Sequence, residues 1–453
     1  VSVTSTTNAE LGRQLWRQTW PMAIGVMALL GMQLIDSAFI ARLGTRPLAA
    51  QSFTFPLSFL IIGVQVGMGI AIAALISRAL GAGEQQRARR QGSMALWLGS
   101  LVIAMLAILL WLIQVPIFTR LGAGPQSLPL IRAYWGPQLL SAWLGALLYF
   151  GYSLFRAHGN TRLPGKLMVA TSVVNLCLDP LLIFGIGPWQ GMGLPGAAWA
   201  TALAFTSGLV ILALRLRGTG WLARRGVLAE VRTSLPDFLG IAGPAMISQL
   251  MPPLAQMLAI SVVASLGEAS VAAWGLASRL ETLSLMVVLA LTMSLPPWLG
   301  RCYGGGDWQR IEQLMYLAAR VVIAWQLALG LLMALGAPWV ALGLSGSPDV
   351  RGDLAILIRF LLPSYALLGI CMIVVSAGNA LGWPLRAMLM SGVRLFGCYL
   401  PCLWLGARVG GIHGLAAGAA GGNVLAGVLA WRLYRRAQRS REIDAGYNPV
   451  DSE

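Results

Sequence analysis

Charge is what this chain has least of. Only 11% of its 453 residues are Asp, Glu, Lys or Arg, under half the roughly 25% usual in a soluble domain. So few charges cannot coat a soluble surface of this size, which excludes a cytoplasmic enzyme. With 57% hydrophobic residues a disordered chain is excluded too. Acids are scarcer than bases, at 16 against 32, and there are two histidines. The five cysteines (Cys177, Cys302, Cys371, Cys398 and Cys402) show neither CxxC spacing nor a histidine partner. They read as buried small apolar residues, not a metal site. No Walker motif, catalytic triad or ligand cluster stands out, so neither an enzyme nor a bound cofactor is expected. The polar first fifteen residues and the long first apolar run do not fit a secretory signal.

Apolar runs fill the space that charge leaves. Crossing the hydrocarbon core takes about 20 apolar residues. Twelve such segments lie near 15–41, 50–78, 92–116, 130–155, 165–185, 194–216, 236–265, 271–300, 313–343, 353–380, 385–406 and 412–434. With the N-terminus placed in the cytoplasm, inside segments hold 22 Lys and Arg and outside segments hold 6. That bias predicts twelve spans with both termini inside. It also gives the net charge of +16 a topological reading in place of a nucleic-acid one. The basic stretch 432–441 is read as meeting anionic lipid headgroups. Trp16, Trp20, Trp111, Trp339, Trp404 and Trp431 near span ends read as an interfacial belt.

The two halves repeat at an offset of 223. Pro21, Gln33, Leu43, Gly44, Ala49 and Ala50 fall on Pro244, Gln256, Leu266, Gly267, Ala272 and Ala273. Arg78, Gly81, Gly83, Glu84 and Arg87 fall on Arg301, Gly304, Gly306, Asp307 and Arg310. Gly159-Asn160 and Pro164 answer Gly378-Asn379 and Pro384 across a small gap. Six spans per half is even, so the repeats run parallel. The expectation is an all-α membrane protein of two pseudo-symmetric six-helix bundles, 1–215 and 236–435. A cytoplasmic linker at 216–235 joins them and a tail at 436–453 follows. Transporters of this plan bind substrate between bundles and rock one against the other.

Polar groups inside spans are functional suspects, because a mid-bilayer charge costs about 2.5–3.5 kcal/mol or more. Thirteen of the sixteen acids lie in tails, loops, the linker or span ends, leaving Asp36, Asp179 and Glu281. Gln33 stands one turn before Asp36, and Asn175 one turn before Asp179. At the repeat offset Asp36 falls on Ala259, so the acid is not a demand of the repeat. If the two acids converge they could share a proton as a coupled pair, with Asn175, Gln33 and Thr201 completing the cluster. The same oxygens of Asp36, Asn175 and Asp179 could take sodium. Glu281 reads equally as an attractor of cationic substrate or as a bundle-stabilising group. Met32, Tyr149, Tyr152, Gln249, Gln256 and Met257 are candidates for a substrate cleft, since aromatic faces attract organic cations and methionine adapts in shape. His158 and His413, near loops, read as solvated.

Several motifs in order carry a family resemblance: QLIDSAFIARLG in span one, SRALGAGE after span two, NLCLDPLLIFG in span five, GLPGAAWATAL in span six and GRCYGGGDWQR after span eight. Over roughly residues 10–435 the chain resembles the multidrug and toxic compound extrusion transporters. That resemblance implies two six-helix bundles in the bacterial inner membrane, and export of small organic, often cationic solutes coupled to protons or sodium. It points to Asp36, Asn175, Asp179 and Thr201 as the coupling site. Other members carry acids in the middle of spans seven and ten; here those are missing, which tilts the expectation to protons. A monomer with no nucleic-acid partner is expected. The competing readings are a lipid-linked oligosaccharide flippase of the related superfamily and a non-transporting receptor or scaffold.

Overall fold

The computed structural model describes residues 8–223 and 226–444, and the chain is helical almost throughout. The helices are α1 (Asn8–Arg42), α2 (Thr45–Gly81), α3 (Gln85–Leu112), α4 (Gln114–Arg120), α5 (Leu128–Ala157), α6 (Arg162–Phe184), α7 (Leu194–Arg217) and α8 (Val227–Ala264). They continue with α9 (Glu268–Ser284), α10 (Met286–Gly304), α11 (Trp308–Leu335), α12 (Ala337–Leu344), α13 (Pro348–Ala380), α14 (Pro384–Gly392) and α15 (Leu400–Asp444). A π-helical stretch, Val393–Tyr399, lies between α14 and α15. Between α6 and α7 the chain forms a two-stranded antiparallel ribbon, β1 (Gly185–Ile186) with β2 (Trp189–Gln190). The all-α expectation lacked this element, which is too short to show alternation.

Twelve spans follow from these helices. Each of α1, α2, α3, α5, α6, α7, α8, α11 and α13 is long and apolar enough to cross a membrane. The pair α9 and α10 forms one span bent by 42°. The last apolar stretch, Pro384–Gln438, leaves helical geometry at Gly410 and Gly411, and its arms meet backbone to backbone at Gly406 and Gly414. It is therefore a hairpin of two spans. Long apolar helices satisfy every backbone group internally, which is why hydropathy alone locates them.

The repeat is also built into the backbone. Gly44 and Gly267, Gly83 and Gly306, and Gly159 and Gly382 all have positive φ, between +73° and +121°. Each pair is separated by the same 223 residues, and L side chains disfavour that region. Gly159 thus corresponds to Gly382, which corrects the pairing of Gly159-Asn160 with Gly378-Asn379. The similar Gly-Asn dipeptide misled, because the last full turn of α13 already contains it. The short helices α4 and α12 start at the same offset after the third span of each half.

The chain divides into two compact units that do not follow the halves. The first holds residues up to Leu250 together with Met293–Ile311 and Asn379–Pro384; the second holds Met251–Thr292, Glu312–Gly378 and the rest from Leu385. The boundaries expected at 215 and 236 rest on hydropathy. The first unit instead gathers the ends of α10 and α13 through bonds such as Thr19 Oγ1 to Ser294 Oγ at 3.1 Å. The linker is also shorter than 216–235, since α7 runs to Arg217 and α8 begins at Val227. Arg224, Arg225 and the tail 445–453 lie outside the described residues.

The linker is docked onto the first unit. Trp221 stacks on the His158 ring, with centroids 3.9 Å apart and planes 12° apart. His158 Nδ1 also lies 2.9 Å from Leu154 O. His158 is therefore not a solvated loop residue as expected, whereas His413 is exposed. Burial, with the Arg301 and Arg89 charges, lowers the His158 pKa below its ordinary 6.5. A depressed folded-state pKa favours the neutral ring in the fold, so its contribution is present above about pH 6.5 and is lost as pH falls. Melting curves from pH 7.5 downward are expected to show an acid-side loss that His158→Phe reduces, since Phe keeps the stack without a charge. Equal acid sensitivity in both proteins would refute the assignment.

Candidate functional site

Two glycine contacts set the geometry of the site. Side-chain space at Gly25 is taken by Met168 Sδ, 2.9 Å from where a Cβ would stand, and by the backbone of Gly165. A Cβ at Gly165 would collide with Pro21 O. Backbones can come this close only through small residues. Here α1 and α6 run in the same direction from that crossing. Eleven residues further along each helix, about 16 Å at 1.5 Å per residue, they reach Asp36 and Leu176 at the same level. Asn175 therefore arrives beside Asp36. On the other side α7 runs back along α6, with Gly196 packed on the Leu182 carbonyl and Gly208 on Thr171. Thr201 falls between these two contacts and faces Asn175.

The cluster is a compact polar site within the first unit. Asn175 and Asp179 are 0% exposed and Asp36 is half-buried. Asp36 and Asp179 are within hydrogen-bonding reach of each other. Among the described residues neither is ion-paired. The hydrogen-bond network fixes the orientation of the Asn175 amide. Its nitrogen donates to Asp36 Oδ1 at 2.9 Å and Asp179 Oδ2 at 3.2 Å, and its oxygen accepts from Thr201 Oγ1 at 3.2 Å and from the Thr201 backbone N–H at 3.3 Å. Both acids thus accept from one amide, since a carboxylate only accepts.

The remaining candidates lie elsewhere. Gln33, expected in the cluster, is exposed. Three residues are 300° of helix rotation, and the stripe of α1 facing α6 is too narrow to include it. Tyr134 was not foreseen; it is buried in α5, interacts electrostatically with Asp36 and donates to Gln138 Oε1 at 3.1 Å. A tyrosine in an apolar span gives no sequence signal until its neighbour is known. Of the cleft candidates, Met32 is buried in α1. Tyr149 packs on Gly69 beneath the Arg156 guanidinium, 5.3 Å from its ring centroid, and Tyr152 is buried. Gln249 is exposed, Gln256 half-buried and Met257 67% exposed. Glu281 belongs to the second unit, where Tyr365 donates to its Oε2 at 3.2 Å. Ala259, at the position repeat-related to Asp36, is completely buried, so the acid site has no counterpart there. Cys177 is exposed, contrary to the expectation for it, while Cys371 and Cys398 are buried. Among the described residues no cluster of three or more His, Cys, Asp or Glu could hold a metal ion.

Known proteins share this sequence and architecture. The MatE family profile matches residues 21–181 and 244–405. A protein of Shewanella oneidensis called an FAD transporter is 34% identical over 436 residues, covering 95% of each chain. A Bacillus subtilis protein called probable multidrug resistance protein YoeA is 26% identical over 290 residues, 62% of each chain. The crystal structure of the Vibrio cholerae MATE transporter VcmN in the bent form is 45% identical with a TM-score of 0.93, covering 96% of this chain and 99% of that one.

Proposed function

This chain belongs to the MatE family of membrane transporters, and from that premise we propose that it exports organic solutes across the inner membrane in exchange for protons. The observation that carries the proposal is the meeting of Asp36, Asn175, Asp179 and Thr201 in one buried cluster with no ion pair. An unpaired acid pair inside a span is costly, and proton exchange gives it a use. The Asn175 nitrogen faces both carboxylates and occupies the space between them. That supports a proton over sodium, because a bound cation would need that space and oxygen ligands around it. In the proposed cycle a proton loads on Asp36, its carboxyl stops accepting from Asn175 as an anion, and the N-terminal helices rearrange to release cargo outside. Loss of the proton inside resets them. The excess of Lys and Arg in the segments assigned to the cytoplasm supports both termini lying inside.

Two cargo classes are supported by different observations. Relatives called multidrug resistance proteins support organic cations. The full-length relative called an FAD transporter supports a flavin dinucleotide. Wild-type protein in vesicles, loaded with ethidium or with FAD, separates these when a proton or a sodium gradient is imposed. Transport is expected under the proton gradient and not under sodium alone. Sodium-only transport would overturn the choice of ion, and transport of FAD without ethidium would replace the cationic cargo.

A further inference from the structure

The loops that follow the second spans of the two halves hold a set of bonds that the sequence repeat does not announce. Arg78, near the end of α2, sends Nε to Ala380 O at 2.8 Å and Nη2 to Asn379 O at 2.6 Å, at the C-terminus of α13. Arg301, near the end of α10, sends Nε and Nη2 to Ala157 O at 3.0 and 2.6 Å, at the C-terminus of α5. Arg78 and Arg301 are 223 residues apart, and so are Ala157 and Ala380. Each repeat-related arginine therefore caps a helix of the other half, and the two pairs of bonds are exchanged about a two-fold relation. The crossing beneath them is reciprocal too. A Cβ at Gly81 would strike Arg301 O, and a Cβ at Gly304 would strike Arg78 O. All of these residues belong to the first compact unit.

The chemistry suits a fastening that must also release. The last carbonyls of a helix have no partner of their own and carry the negative end of its dipole, so a guanidinium there is favoured. The planar fork supplies two donors in fixed geometry, to adjacent carbonyls from Arg78 and to one carbonyl from Arg301, which an ammonium cannot match. A cavity of about 430 Å³ lined by Arg78, Ala82, Tyr303, Gly304 and Gly382 has room for water to replace a carbonyl on release.

We propose that Arg78 and Arg301 form a two-fold latch that holds the ends of α2, α5, α10 and α13 together, and that its release opens this end of the transporter for cargo. The proposal rests on the exchange of access read above. Its test uses the full chain in lipid nanodiscs, with the native cysteines replaced and spin labels at Gln86 and Gln309, which both belong to the first unit. Wild type is expected to show mainly a short distance. The long-distance population is expected to rise about tenfold for each arginine lost, as deletion of a charged hydrogen bond implies. The double variant Arg78→Ala/Arg301→Ala should then be mainly long, and Arg78→Lys, which keeps the charge and loses the fork, intermediate. An unchanged distribution in a double variant that elutes as a folded monodisperse protein overturns the latch. So does an equal shift in Arg89→Ala, which removes the same charge outside these bonds. The distances are read without cargo or gradient, so loss of the export reading leaves them interpretable.

Discussion

Asp36→Asn is expected to bring proton-driven export down to the rate of empty vesicles while leaving the fold intact. The amide matches the carboxyl in shape and retains hydrogen bonding to Asn175, which lies 2.9 Å away. It cannot bind and release a proton, so the coupling step is lost. Removing a half-buried acid with no ion pair relieves a desolvation cost, so the melting temperature should hold or rise. Asp179→Asn should lose driven export likewise. Asp179→Ala should in addition lose stability, because the buried Asn175 amide would lose one of its two acceptors, at about 1–3 kcal/mol. Gln33→Leu serves as the contrast: its side chain is exposed, and driven export should match wild type. Proteoliposomes under an imposed proton gradient measure all four. Wild-type rates from Asp36→Asn would remove the coupling assignment altogether.

The second large effect is steric. Gly165→Ala places a methyl group against Pro21 O, a backbone atom of α1 that cannot rotate aside. Overpacking a tight core contact costs about 1–3 kcal/mol. The crossing is also the reference point from which Asp36 and Asn175 reach the same level. Separating α1 from α6 there should part the acid from the amide, so activity and stability should fall together. Gly31→Ala, on α1 with nothing within 4 Å of the new methyl group, should change neither. Thermal melting and driven transport are the measurements. A Gly165→Ala protein with wild-type stability and transport would show that the close crossing does not position the site.

These expectations draw on different layers of information. Asp36, Asp179 and Glu281 were conspicuous in the sequence because an acid in an apolar run is costly wherever the helix packs. Asn175 followed from its one-turn spacing to Asp179. Thr201 was offered as a further polar group for the cluster and was singled out by the resemblance of its AWAT motif, since a threonine in a span is otherwise ordinary. Gln33 shows where this reasoning ends. One turn of spacing placed it near Asp36 along the helix, but whether that face is covered depends on the width of the α1–α6 contact. Glu281 illustrates the same boundary from the other side. It was visible as an acid, but its bond to Tyr365, 84 residues away, was not.

The number of spans, the repeat and the identity of the intramembrane acids were determined by the sequence alone. Hydropathy and charge act residue by residue along a helix that satisfies its own backbone, so no partner need be known. The bend between α9 and α10, the hairpin at Gly410–Gly411 and the short β1–β2 ribbon needed coordinates, because each rests on a few residues of local geometry. Which acids meet, which tyrosine stands by them and which helix end each repeated arginine caps were decided only by tertiary structure. Those facts depend on where two helices cross, and the crossings here are set by single glycines whose meaning appears only when the opposing backbone is in place.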